Sequence, residues 1–331
     1  MPRTFLISRT DSIGDVVLTL PMTGILKEMF PGCKVIFLGK SYTRPVVEAC
    51  PTVDAFCDWN EVEKKGIMVQ TEMLAALKAE TILHVFPKKD IAVAAMKAGI
   101  PLRIGSTGRL WHYWTCNSLV RLSRRNSDLH ESQLNLKLMK PLGFNKDLCM
   151  AEIYPYAQLN HFQVLDPRIK ALLSPDKKNV ILHPLSKGSA REWGLDNFKA
   201  LARLLDPAKF NVFVTGTREE GLEIRSSEIF SIPYVYDLTG RLNLGELISF
   251  ISQADILVAA STGPLHLAGV MGKKAIGIYP PIKPMHPGRW APIGPQAHYL
   301  VLDKSCNDCR NGKECLCMKQ IRPLDIFGYL T

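Results

Sequence analysis

The sequence predicts an α/β protein made of two parallel-sheet domains, and three observations carry that prediction. Apolar runs alternate with helical patterns through the first half, the alternation lapses over residues 147–178, and it resumes at Asn179 for another domain's length. A chain of 331 residues exceeds the usual size of one domain, and 47% apolar residues are enough for two cores.

In the first half, residues 5–9, 34–38, 55–59, 81–86 and 102–104 read as strands, with helices at 16–29, 45–49, 69–78 and 91–98 between them. Strand-helix-strand repetition needs crossover connections, which make the strands parallel and cover both faces of the sheet. Between Gly105 and Ser132 the rhythm gives way to a basic, aromatic-rich stretch, followed by a helix over 131–142 that Gly143 stops. Pro155, Pro167 and Pro175 punctuate the expected interdomain connection. The second half then reads as strands at 180–183, 211–215, 234–237, 256–260 and 274–279, with helices at 197–205, 219–229, 244–252 and 264–270.

The net charge of +10 favours anionic partners such as nucleotides, acidic sugars or phosphorylated lipids, and a basic face suits an anionic membrane surface. Nucleic acid is set aside as the main target, because the chain carries no RNP motif, zinc-finger spacing or long Lys/Arg block. The opening apolar run is too short for a signal peptide, and no run approaches the ~20 residues that cross a bilayer. The expected location is therefore the cytoplasm, with peripheral contact at the inner face of the membrane. Of nine cysteines, Cys33, Cys50, Cys57, Cys116 and Cys149 are scattered as buried, reduced, small apolar residues would be.

Chemistry concentrates in five places. Arg9-Thr-Asp-Ser-Ile-Gly-Asp15 follows the first strand and opens a helix, placing Asp15 at the carboxyl edge of the sheet, where ligands of open parallel sheets bind. Asp15 is the candidate base, and Gly14 admits a close substrate. Ser12 to Asp15 also matches a helix cap, in which the carboxylate would serve backbone donors and the helix dipole. His183-Pro-Leu-Ser-Lys-Gly-Ser-Ala-Arg191-Glu-Trp193 is a strand-to-helix loop whose Ser186, Lys187, Gly188 and Arg191 offer the hydroxyl, cations and exposed backbone that a diphosphate needs; an ordinary solvated loop would look similar.

Ser261-Thr262-Gly263-Pro264-Leu-His266 makes a second anion-ready helix start, although a His in that position often serves packing. Arg109, His112, Arg121, Arg124, Arg125 and His130 could form a platform for an acidic glycan or simply a solvated loop. Cys306, Cys309, Cys315 and Cys317 lie within twelve residues; C-x₂-C suits a structural zinc, the other spacings do not, and a reduced hairpin is the alternative. A nicotinamide dehydrogenase is disfavoured because the first turn lacks Gly-x-Gly-x-x-Gly.

Taken in order, Arg9-Thr-x-Ser-Ile-Gly-Asp15-Val-Val-Leu-Thr-Leu-Pro21, the His183-Pro…Arg191-x-Trp193 loop, Ser261-Thr-Gly-Pro-Leu-His266-Leu-Ala and the closing Cys317-Met-x-x-Ile resemble the ADP-heptose:lipopolysaccharide heptosyltransferases, glycosyltransferase family 9. The resemblance implies a GT-B architecture of two facing Rossmann-like domains: an acceptor domain over 1–160, a nucleotide-sugar domain over 175–305, and a cysteine-containing segment, 306–331, returning to the first domain. It implies an inverting transfer of heptose from ADP-heptose to Kdo or heptose of an acidic inner-core glycolipid, with no cofactor required. Asp15 would be the base, with Ser12, Gly14, Arg109, Arg124, Arg125 and His130 on the acceptor side; Ser186, Lys187, Gly188, Arg191, Ser261, Thr262, Gly263 and His266 would hold the donor.

Two departures stand out: typical members carry Lys at the position of Arg191 and Asp at that of Ser261, the latter a carboxylate expected to contact the donor. Alternatives are a GT-B transferase with another nucleotide sugar or a protein acceptor, and a non-catalytic glycan-binding relative.

Overall fold

A computed structural model describes residues 3–124, 127–304, 306 and 315–331. The chain divides into two units, Met1–His161 and Phe162–Thr331, so the boundary falls inside the proline-punctuated connection. Each unit holds one six-stranded, wholly parallel sheet.

In the first unit the strands are β1 (Thr4–Ser8), β2 (Lys34–Gly39), β3 (Ala55–Asp58), β4 (Thr81–His84), β5 (Leu102–Ser106) and β6 (Ser118–Val120), arranged β3-β2-β1-β4-β5-β6. In the second they are β7 (Lys178–His183), β8 (Phe210–Val214), β9 (Val235–Asp237), β10 (Ile256–Ala260), β11 (Lys274–Ile278) and β12 (Ala297–Leu300), arranged β12-β11-β10-β7-β8-β9. Both are the Rossmann order, in which the chain works outward from its first strand on one side and then on the other. The reversal falls between β1 and β4 in one sheet and between β7 and β10 in the other, and there the crevice beyond the carboxyl ends of the strands opens.

The ten expected strands are present. The edge strands β6 and β12 are additional; both are mostly half-buried and mix polar with apolar residues, so neither offers an apolar run. The helix expected over 16–29 is broken in two, Ile13–Val17 and Pro21–Met29, because Pro21 has no N–H for a continuous ladder and is suited to a first helical position. Thr19 and Leu20 close the intervening turn on Val16 and Val17. The 131–142 helix likewise shortens to Glu131–Lys137, with a separate turn of 3₁₀ helix, Lys140–Leu142, before Gly143 takes up a left-handed conformation at φ +95°.

The closing segment departs from what the resemblance implies. Cys315, Cys317, Met318, Ile321, Ile326 and Leu330 are buried in the core of the second unit, and the indole N–H of Trp193 donates to the Ile321 carbonyl at 2.8 Å. Six apolar side chains need an apolar seat, and the second sheet's own helices supply it. Among the scattered cysteines, Cys33, Cys50, Cys57 and Cys116 are buried as expected, whereas Cys149 is exposed because it sits ahead of the short surface helix Met150–Ile153. No helix among the described residues is long and apolar enough to cross a membrane.

Candidate active site

At the switch point of the first sheet the chain leaves β1 through Arg9, Thr10, Asp11 and Ser12 and enters the Ile13–Val17 helix, whose third residue is Asp15. Its carboxylate does not serve as a cap: Oδ1 pairs with Arg9 Nη2, and Oδ2 accepts from the Ser12 hydroxyl at 2.5 Å. With a side chain 17% exposed, Asp15 is held in place yet reachable. Gly14 beside it is buried.

Arg9 is 3% exposed and binds on two fronts. Its Nε meets Asp11 Oδ1 at 2.7 Å; its Nη1 reaches Glu131 Oε1 at 3.1 Å and Asn135 Oδ1 at 3.4 Å. Glu131 and Asn135 belong to the Glu131–Lys137 helix, and Asn135 Nδ2 donates in turn to the Leu18 carbonyl at 3.1 Å. Buried charge is tolerated when it is paired in this way. Burial pushes the Asp11 carboxyl above its ordinary pKa and the nearby Asp15 adds to the rise, while Arg9 opposes it. Sequence reasoning missed Asp11, Glu131 and Asn135; for Asp11 the signal was there, in a second carboxylate four residues before the first.

Behind this loop lies a buried polar floor. Ser8 and His84 pair in register on β1 and β4, and among the described residues Ser8 Oγ, Thr10 Oγ1 and both ring nitrogens of His84 have no hydrogen-bond partner. Burial pushes His84 down to about 3, helped by His112 with its ring 5.6 Å away, so the imidazole is neutral.

The basic stretch does not act as one surface. Arg124 turns inward, pairing with Glu131 and donating to Asn135 Oδ1 at 2.9 Å and the Val85 carbonyl at 3.2 Å. His130 is buried as the N-cap of the Glu131–Lys137 helix: its Nδ1 accepts from Ser132 N, and Gln133 reciprocates to its backbone N–H. The contacts of Arg124 and His130 thus go largely to the Glu131–Lys137 helix and to Val85, away from a shared basic surface. His112 is likewise buried, its Nδ1 2.9 Å from the Ser106 carbonyl. Arg109 is exposed, its guanidinium 5.7 Å from the Trp111 ring, and stays available. Arg121 lines a cavity of about 310 Å³ with Lys137 and Lys140. Arg125 lies outside the described residues.

In the second unit, β7 and β10 are neighbours in register, so the loops that follow them leave the same edge side by side. After β7, Lys187 and Gly188 are both left-handed, at φ +49° and +77°, and Ser189 N closes the turn on the Ser186 carbonyl at 2.9 Å. Two carboxylates hold this loop. Glu192 Oε1 accepts from Ser186 N at 2.9 Å and lies 2.8 Å from Ser186 Oγ; Glu220 accepts from Lys187 N at 3.1 Å and Thr217 N at 2.7 Å. The Ser186 hydroxyl also lies 3.0 Å from the Ala190 carbonyl, so its contacts with Glu192 and Ala190 help to shape the loop. The Lys187 and Gly188 side of the turn remains exposed, with Arg191 half-buried beside it in sequence.

After β10, Thr262 is the N-cap of the Gly263–Val270 helix without a side-chain capping bond, and its buried Oγ1 has no partner among the described residues. The first-turn N–H groups of such a helix lack intrahelical acceptors and carry the positive end of its dipole. Ser261 engages the buried Tyr279 hydroxyl, and His266 is buried within the helix. His183, at the end of β7, hydrogen-bonds Thr215 Oγ1 at 2.9 Å; burial drives it down to about 4 against the opposing pull of Glu220. Of the candidate metal ligands, Cys315 and Cys317 are buried among apolar side chains, Cys306 packs against the same core, and Cys309 lies outside the described residues. No cluster of three or more His, Cys, Asp or Glu able to hold a metal occurs among the described residues.

Two parallel sheets of Rossmann order in one chain match the GT-B fold, and the family into which the sequence falls makes the chain a glycosyltransferase. It belongs to glycosyltransferase family 9 (heptosyltransferase), whose family model matches residues 89–319. That span contains the whole anion-ready edge of the second unit, while Asp15 lies ahead of it. A Haemophilus influenzae protein assigned as a glycosyltransferase is 27% identical over 298 residues, 87% of this chain and 85% of that one. The lipopolysaccharide core heptosyltransferase OpsX of the same organism is 19% identical over 283 residues, covering 84% of this chain and 79% of its own. The solved structure of E. coli ADP-heptose lps heptosyltransferase II superposes with a TM-score of 0.76 at 18% identity, over 99% of this chain and 97% of that one, a likeness of fold.

Proposed function

We propose that this glycosyltransferase moves heptose from ADP-heptose to a sugar, Kdo or heptose, of an acidic inner-core lipopolysaccharide acceptor, with inversion at the anomeric carbon. The observation that carries the reading is Asp15: a fixed, reachable carboxylate at the switch point of the first sheet. The names of the relatives, which specify ADP-heptose and lipopolysaccharide, support the choice of substrates.

Asp15 takes the proton from the acceptor hydroxyl, whose oxygen forms the new bond to the anomeric carbon. The bond from that carbon to the diphosphate breaks, and ADP leaves with the electron pair. Lys187, Arg191, Gly188 and the Thr262–Gly263 helix start offset the charge that builds on the departing diphosphate. This assignment calls on no metal. The acceptor, being anionic, is drawn to a protein of net charge +10, and Arg109 is a cation free to meet it at the exposed surface of the first unit.

Incubating the protein with ADP-heptose and a panel of truncated core glycolipids, and identifying product by mass, tests the substrates directly. Asp15→Asn is expected to lower turnover by about 100-fold or more, the scale of general-base catalysis. Its ADP-induced rise in melting temperature should match that of the parent, because nucleotide binding belongs to the second unit. Near-normal turnover in that variant refutes the base; a melting response to UDP or GDP larger than to ADP refutes the donor.

A further inference from the structure

Arg9 faces more carboxylate than one guanidinium neutralises. Asp11, Asp15 and Glu131 all pair with it, and Arg124 joins the group only through Glu131, so three carboxylates stand against two guanidiniums. The way Asp11 and Asp15 divide Arg9 is unusual. Nε and Nη2 form one edge of the planar guanidinium, an edge that commonly grips a single carboxylate with both N–H groups. Here Nε goes to Asp11 and Nη2 to Asp15. Glu131 and Asn135 occupy Nη1, so Arg9 cannot swing to offer a different edge.

A bidentate grip on Asp15 would tie up both of its oxygens and hold its charge tightly, which makes a poor proton acceptor. We propose that Asp11 is a positioning residue for Asp15: by taking half of the Arg9 edge it restricts Arg9 to one bond with Asp15 and keeps the guanidinium off Asp15 Oδ2, which accepts from the Ser12 hydroxyl and has a second lone pair for an incoming hydroxyl. This inference rests on the reading of Asp15 as the base. It gives Asp11 a task beyond pairing with Arg9, and the two carboxylates are close enough that the Asp15 charge adds to the rise of the buried Asp11 carboxyl. The other group facing Asp11 is Tyr42, whose hydroxyl donates to the Asp11 carbonyl at 2.5 Å; Glu131 and Arg124 act on Asp11 through Arg9.

The test compares Asp11→Asn and Asp11→Glu with the parent, using ADP-heptose and the truncated core glycolipid that yields product in the mass assay. In Asp11→Asn the acidic limb of the kcat/KM profile is expected to move to lower pH by about one unit and kcat to fall by up to about tenfold, with KM for ADP-heptose unchanged. Asp11→Glu, which keeps the charge, should restore most of both. A lowered melting temperature with the acidic limb unmoved means that Asp11 only braces the turn, and overturns the inference.

A second measurement needs no substrate: with ¹³Cγ-labelled aspartate in the full chain, the Asp11 signal should titrate above the ordinary aspartate range and shift downward in Asp15→Asn. An Asp11 signal indifferent to Asp15→Asn also overturns it. Normal turnover of Asp15→Asn is a different result, and counts against the base assignment rather than against the coupling.

Discussion

Arg9 Nη1 donates to Glu131 Oε1 at 3.1 Å, an ion pair between residues 122 positions apart that ties the active-site turn to the Glu131–Lys137 helix. Glu131 is 1% exposed and also takes Arg124, so its carboxylate is the counter-ion on which two guanidiniums converge. Removing one partner of a buried pair leaves an uncompensated charge, which costs far more than the intact pair contributes. Glu131→Ala is therefore expected to destabilise the fold by about 3 kcal/mol or more, and Glu131→Gln by less, because the amide oxygen still accepts. Urea unfolding checks this; a loss under about 0.5 kcal/mol for Glu131→Ala would mean that Arg9 is held well enough by its other partners.

The second prediction concerns the Ser186 loop. If Ser186 acts by binding Glu192 and not by touching the diphosphate, Ser186→Ala and Glu192→Ala disturb the same contact. Their effects on ADP affinity should then fail to add, with a coupling energy of at least about 0.5 kcal/mol in a double-mutant cycle. Additive losses would return the Ser186 hydroxyl to the ligand.

The third concerns acid. His183 titrates in the folded protein at about 4, against about 6.5 in an unfolded chain. Above the unfolded value both states hold the imidazole neutral and no stability depends on pH through it. As pH falls from there toward the folded value, the unfolded chain takes up a proton that the native state refuses, and stability is lost, by about 2 kcal/mol at about pH 5. His183→Asn keeps an N–H opposite Thr215 Oγ1 and cannot titrate. Its urea midpoint should fall less than the parent's between about pH 7.5 and about pH 5; equal falls would show that His183 charges without cost.

Much of this molecule was legible in its sequence because local pattern decided it. Strand followed by helix, repeated, forced parallel sheets, and the place of Asp15 at the sheet's carboxyl edge was legible because it stands one turn beyond the first strand. The rest depended on distance or brevity. Nothing near Glu131 in the chain announces Arg9, and the pairing exists only once the sheet has brought the two together. Arg124 and His130 looked like surface cations because basic, aromatic surroundings describe composition and not direction; the fold turns both inward. β6 and β12 sit half-buried at sheet edges with polar residues among their few positions, so no apolar run marks them. The closing segment was placed by resemblance, and the apolar side chains of its described residues lie in the core of the second unit.

The strand order also dictates a sequence of events at the ribosome. β1, which leads into Arg9, emerges first and yet finishes in the middle of its sheet, flanked by β2 and by β4. Until residues 81–84 have been made, one side of it is an open edge with unpaired backbone, the kind of template onto which another nascent chain can add. A translational pause between β3 and β4 would prolong that exposure. Synonymous codon choice there should affect the yield of native enzyme without changing a single residue of it.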